Sequence, residues 1–166
     1  TRFLSFGSVS VGDQLATMAV PESLEIINSK NGFRLAGRPS VSNIHTDEEF
    51  ARQNIFGGTV NSGPATMSYV GQMLQLSFPL RAFYDGGRLL MRAVEPFRAG
   101  YTVTFQGEVS GKQHPPFSPL YEGGRQGSVI ECRVKVINQR GALSACPTPG
   151  YAYPISSTLI LPWTTN

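Results

Sequence analysis

Two histidines, His45 and His114, are the side chains of this chain whose charge changes near neutral pH without help from their surroundings. His45 stands in a dense polar run, Asn43-Ile44-His45-Thr46-Asp47-Glu48-Glu49, with Ser40 and Ser42 just upstream and Asn61-Ser62-Gly63 downstream. An imidazole in such company suits proton transfer. The plainer reading is a loop histidine with a structural hydrogen bond. Ser40 and Ser62 can hydrogen-bond a water or a hydroxyl group, but hydroxyls do not act as bases near neutral pH. Asp47 reads as negative charge at a helix start. Asp85 and Glu122 are loop acids worth inspecting as proton acceptors. His114 lies in a proline-rich segment and reads as a solvated loop residue. No metal site is expected.

These residues need elements to position them. Residues 3–20 carry a loose apolar alternation (Phe3, Phe6, Val9, Val11) and read as a strand or arm entering the domain. Residues 21–27 could start a short helix, and Gly32, Gly37 and Pro39 break the following stretch into loop. Thr46 to Ala51 reads as a helix start with Thr46 as cap and acids in the first turn, ended by Gly57-Gly58. A second helix is predicted over about 64–78, with Pro64 at or near its first position. There Met67, Val70, Gly71, Leu74 and Phe78 recur at helical spacing, and core packing explains its methionines.

Further on the period changes to two. Val103, Phe105 and Val109 alternate with polar residues, and so do Ile130, Cys132, Val134 and Val136. Both segments read as half-buried strands with one wet face. Asn138-Gln139-Arg140-Gly141 reads as a hairpin, and residues 113–127 as a long loop. A last strand pair is predicted over roughly 142–155, which 157–161 extend. The order is arm, helices, one buried helix, then antiparallel strands. That is an α+β architecture, with strands curling around the apolar helix.

Bulk properties narrow the rest. The 166 residues suit one domain, 1–166, and 40% hydrophobic content suits a real core. The net charge is only +3 and the basic residues are scattered, so no nucleic-acid partner is expected. Two cysteines, Cys132 and Cys146, are too few for a disulfide framework and read as buried free thiols. No apolar run of about 18 residues appears, so a soluble, cytoplasmic protein with no membrane partner is expected.

At residues 43–63 the sequence resembles the hydratase motif of MaoC-like proteins: Asn43 to Ala51, then Phe56-Gly57-Gly58-Thr59-Val60-Asn61-Ser62-Gly63. Other segments fall in that family's order. Ser10-Val11-Gly12-Asp13 is similar to its opening, Arg92 to Val103 to its strand leading to a turn, and Val136 to Gly141 to its late hairpin. The resemblance implies a hot-dog fold, a curved antiparallel sheet wrapped around a central helix. It implies hydration or dehydration of an acyl thioester, carried on coenzyme A or a phosphopantetheine carrier, with no bound cofactor. It also implies pairing of two hot-dog units, as a homodimer or heterodimer.

In that family a carboxylate and a histidine hold the water and move protons, and an amide at the helix start receives the thioester oxygen. By resemblance His45 is the acid/base and the Gly63 N–H the oxyanion donor. Ser40, Ser42, Asn43, Asn61 and Ser62 would line the substrate. The chain departs where the family has Asp, which is Ser40 here, and where it has the His of a His-Gly pair, which is Ser62. Arg81, Arg88, Arg92, Arg98 and Arg125 include possible contacts for a phosphate of the thioester carrier. The leading expectation is a diverged hydratase or dehydratase. Two alternatives stand beside it: a non-catalytic subunit paired with an active partner, and an enzyme repurposed for dehydration or cyclisation of a related unsaturated carbonyl substrate.

Overall fold

The structure is a computed structural model. It describes residues 3–31, 42–84, 89, 91, 95–113, 129–141, 143–145 and 156–157. Chain order is β1 (Met18–Pro21), α1 (Leu24–Asn31), α2 (Glu48–Arg52), α3 (Gly63–Gln75), α4 (Arg81–Tyr84), β2 (Thr102–Gln113), β3 (Val129–Asn138), β4 (Leu143–Ala145) and β5 (Ser156–Ser157). The strands form one antiparallel sheet in the order β1-β2-β3-β4, with β5 also paired to β3.

The β2–β3 register explains the alternation in the sequence. Phe105 faces Val136 and Val109 faces Cys132, while Gln106 faces Lys135 and Glu108 faces Arg133. Successive side chains of a strand leave on opposite sides. One face is therefore apolar and buried, and the other carries the exposed Arg133–Glu108 pair at 3.4 Å. A register slip of one residue would bury those charges, so the pattern itself fixes the pairing.

Helix α3 lies on the apolar face. Tyr69, Val70, Met73 and Leu74 from α3, with Phe78 just beyond it, join one buried cluster with Val103, Phe105, Val109, Ile130, Cys132, Val134 and Val136. The Phe105 ring packs against Tyr69 at 5.7 Å between centroids and against Phe97 at 6.0 Å. At Gly107, on the same face, a Cβ would sit 2.9 Å from Leu15 Cδ1, so the missing side chain makes room for Leu15 in the core. Cys132 is buried and free, as expected, and burial with the neighbouring Glu131 charge pushes its thiol up to about 12. Cys146 lies outside the described residues.

Several boundaries differ from those read in the sequence. The strand part of the arm is confined to Met18–Pro21. The first helix starts after Ser23, whose hydroxyl accepts from Ile26 N, and runs to Asn31. Asp47, not Thr46, caps α2: its carboxylate accepts from Phe50 N at 3.0 Å. The central helix ends at Gln75, and Phe78 reaches the core from the turn that follows. The short helix α4 was not anticipated. The hairpin at Asn138–Gly141 is as read, with Gly141 at φ 73° donating to Asn138 O. The segment Arg92–Val94, most of the 113–127 loop and residues 146–155 lie outside the described residues.

Phe105 sits at the centre of this packing and is fully buried. Replacing it with Ala is expected to lower stability by about 3–5 kcal/mol, the range for losing a buried aromatic. Chemical unfolding of the two proteins checks this. A change under about 1 kcal/mol would mean that α3 does not rest on the sheet here.

Candidate active site

The segment Val60-Asn61-Ser62-Gly63 runs into α3 and is held from several sides. Val60 N donates to Ile44 O at 3.2 Å, and Asn61 N donates to Phe97 O at 2.8 Å. Val60 forms an isolated bridge with Arg98. Upstream, Thr59 N donates to Glu48 Oε2 at 3.3 Å and Arg98 Nη2 donates to Phe56 O at 2.7 Å. The loop between α2 and α3 is thus tied to α2 and to the stretch before β2.

His45 hangs on this segment. Its Nδ1 lies 2.8 Å from Val60 O. A carbonyl oxygen only accepts, so Nδ1 carries the hydrogen, and in the neutral ring Nε2 holds the lone pair. Behind the ring, Asn43 Oδ1 accepts from His45 N at 2.8 Å and from Thr46 N at 3.2 Å. That turn delivers the chain into α2, where Asp47 caps. Asp47 caps α2 by accepting from Phe50 N, and backbone and Ser42 hydrogen bonds hold its carboxyl below its usual range.

The first turn of α3 leaves one amide over. A helix begins with N–H groups that lack partners inside it. Pro64 has no N–H. Ala65 N donates to Ser62 Oγ at 3.4 Å, and Thr66 N to Ser62 O at 3.0 Å. Ser62 N is taken by Asn61 Oδ1 at 2.9 Å. Gly63 N alone in this turn has no acceptor among the described residues. Gly63 is exposed, and a Cβ built on it meets nothing within 4 Å. An open amide at the positive end of a 13-residue helix is suited to an oxygen gaining negative charge.

A carboxyl group also reaches this segment, from the end of β1. Glu22 is only 3% exposed. Its backbone is clamped by Glu22 N to Tyr101 O at 2.7 Å and Gly100 N to Glu22 O at 2.8 Å. Its Oε1 accepts from Asn61 Nδ2 at 3.3 Å and from the Tyr69 hydroxyl. Lys30 donates in turn to Tyr69 Oη and lies 3.4 Å from the ring centroid. Glu22 Oε2 is buried with no partner among the described residues. Burial raises the Glu22 carboxyl above its usual range, with Lys30 and Asn61 opposing the rise. Burial lowers the Lys30 ammonium, opposed by Glu22.

The residues singled out in the sequence are therefore placed as follows. His45 and Gly63 act on one four-residue segment. Asn43 and Ser62 spend side-chain oxygens on local backbone amides, and Ser42 bonds Asp47. Asn61 is buried and turned toward Glu22 and Ser62 N. Ser40, Asp85, His114 and Glu122 lie outside the described residues. Arg98 is occupied with the Phe56 carbonyl. Sequence reasoning passed over Glu22, which it placed only at the start of a helix. Among the described residues no group of three or more His, Cys, Asp or Glu could hold a metal ion. No described helix is long and apolar enough to cross a membrane.

An antiparallel sheet laid against one central apolar helix is the hot-dog fold, and solved structures match it. No protein-family model matches the sequence, and no curated protein does. A MaoC-like dehydratase from Rhodospirillum rubrum matches with a TM-score of 0.65 and 20% identity, covering 99% of this chain and 100% of that one. An (R)-hydratase from A. caviae involved in PHA biosynthesis matches at 0.56 and 20% identity, over 83% of this chain and 92% of that one. The ChsH1-ChsH2 complex from Mycobacterium tuberculosis matches at 0.54 and 20% identity, over 82% and 91%. At these identities the shared property is the fold.

A carboxyl raised on folding adds stability at low pH and loses it as pH rises through its folded value. Glu22→Gln keeps an oxygen for Asn61 and Tyr69 but cannot ionise. The variant is expected to gain stability over wild type as pH rises, and the gap to close in acid. Urea unfolding of both proteins at acidic and alkaline pH tests this. A gap independent of pH would show that Glu22 is not strained by burial.

Proposed function

We propose that this chain is an acyl-thioester hydratase or dehydratase in which His45 moves protons and the Gly63 N–H holds the thioester oxygen. The observation that carries the reading is the first turn of α3, where every amide but Gly63 is spoken for and the His45 ring is pinned three residues upstream. Adding water across an enoyl thioester needs a proton taken from the water, a proton given to the α carbon, and an acceptor for charge on the carbonyl oxygen. His45 Nε2, freed by the Val60 bond, serves the first need. The Gly63 amide, backed by the helix dipole, serves the second.

The substrate is an enoyl or 3-hydroxyacyl group on coenzyme A or a phosphopantetheine carrier, and the chemistry asks for no further cofactor. The likeness to a MaoC-like dehydratase and an (R)-hydratase supports the hydration or dehydration in this reading. Two such units pair, in this reading as a homodimer. A second reading, a half-site subunit of a heteromer, draws on Ser40 and Ser62 standing where the motif has a carboxylate and a histidine. Its structural support is the likeness to the ChsH1-ChsH2 complex.

Three variants test the reading against a panel of enoyl-CoA substrates. His45→Ala is expected to cost about 10²–10⁴ in kcat. Gly63→Pro removes the one open amide; Ser62 before it is already extended at ψ 154°, which a following proline requires. It is expected to fold and to lose about 10²–10³ in kcat. Gly63→Ala retains the N–H and is expected to stay within about tenfold of wild type. Wild type that hydrates none of the panel, alone or with a co-purified hot-dog partner, would refute the assignment.

A further inference from the structure

We infer that Glu22 is the second proton-transfer group of this site, the base that takes a proton from the attacking water. The inference rests on the hydratase reading and adds a residue to it. Three observations converge. The carboxyl is buried, yet Oε2 has no partner among the described residues. Buried polar atoms are almost always satisfied, so an orphaned carboxyl oxygen marks a place for a water or a ligand group. Asn61 ties Oε1 to the same backbone that carries the rest of the site: Nδ2 holds Glu22, Oδ1 holds Ser62 N, and the preceding carbonyl holds His45. The bonds to Gly100 and Tyr101 fix the Glu22 backbone, and Asn61 and Tyr69 hold its carboxyl at Oε1.

Hydration needs two groups because water must lose a proton while the α carbon gains one. Ser40 and Ser62 supply neither. The step balances as follows. The water oxygen bonds to the β carbon, and its proton passes to Glu22 Oε2. The alkene electron pair moves toward the α carbon and the thioester oxygen, which the Gly63 N–H holds. Protonated His45 gives its Nε2 proton to the α carbon. Transfer of the Glu22 proton back to His45 through solvent restores the starting state. Dehydration runs the same steps in reverse.

The charged and titratable groups packed on Glu22 are Lys30 of α1 and Tyr69 of α3, with the Asn61 amide between it and the site. Tyr69 donates to Oε1, which leaves Oε2 as the reactive oxygen. Burial raises the carboxyl, and that makes it a stronger base than an exposed one.

The test measures hydration of an enoyl-CoA that wild type accepts, in Glu22→Gln, His45→Ala and Lys30→Met proteins. Glu22→Gln is expected to lose about 10²–10⁴ in kcat with its fold intact by circular dichroism. A purely structural glutamate predicts little loss, because Gln keeps the oxygen that Asn61 and Tyr69 use. Most of Lys30 faces solvent and Met keeps an apolar stem over the Tyr69 ring, so Lys30→Met is expected to retain the fold. Without that positive charge the Glu22 carboxyl titrates higher, and the acidic limb of kcat/KM is expected to move to higher pH. If Glu22→Gln misfolds, the limb shift in Lys30→Met decides alone. Loss of activity in His45→Ala with near-wild-type Glu22→Gln, or with an unmoved acidic limb in Lys30→Met, overturns the role of Glu22 and leaves the hydratase reading standing. A wild type without hydratase activity overturns both.

Discussion

A carbonyl oxygen has no proton to give, and this fixes the state of the His45 ring. With Val60 O 2.8 Å from His45 Nδ1, the imidazole has one available tautomer and one orientation about that bond. The same strand-like segment that supplies the carbonyl runs on through Asn61 into α3. The ring and the helix start therefore cannot drift apart without breaking the bonds from Ile44 and Phe97 to Val60 and Asn61. Precision at the site comes from backbone bonds on a packed helix, which is stiffer support than side chains on a free loop.

The sheet supplies the other half of that stiffness. Helix α3 is anchored by Tyr69, Val70, Met73 and Leu74 against Phe105 and its neighbours. Tyr69 serves two ends at once: its ring packs on Phe105, and its hydroxyl bonds Glu22. Core and polar cluster thus share a residue. Burying Glu22 is unfavourable in itself, since a carboxylate loses its hydration there. Lys30, Asn61 and Tyr69 offset part of that cost. An apolar residue of similar size at such a position is often neutral or stabilising, so the carboxyl is not explained by stability alone.

How much of this was legible in the sequence depended on range. The β2 and β3 strands were legible because one buried face imposes a period of two over residues 103–109 and 130–136. The apolar stripe of α3 was legible in part: Val70, Leu74 and Phe78 are buried as their spacing placed them, but Met67 and Gly71 are only half-buried, and Thr66, Tyr69 and Met73 complete the buried face. Thr46 and Asp47 are both good caps, and only the turn made by Asn43 Oδ1 decides that Asp47 takes the position. Glu22 was not legible at all. Its partners lie 39 and 47 residues away, and nothing beside it in the chain distinguishes it from an exposed glutamate at a helix start. Burial of a single charge is a tertiary fact, and periodicity carries no trace of it.

The substitutions in the motif and the position of Glu22 bear on each other. In this chain the Gly63 amide belongs to the backbone and the His45 ring is bonded to that same backbone at Val60 O, so the segment entering α3 fixes where both stand. It does not fix which chain segment brings the carboxyl, because a carboxyl needs only to reach the same few ångströms from any direction. A motif can therefore lose its acid at one loop and keep its reaction if another element supplies one. The end of β1 is suited to this: paired to β2 on one side, it passes beside Asn61, whose amide links Glu22 to the mouth of α3. Fold likeness at 20% identity is blind to such an exchange. Such an exchange leaves its mark as a buried carboxyl oxygen without a partner, and among the described residues the only carboxyl oxygen of that kind is Glu22 Oε2.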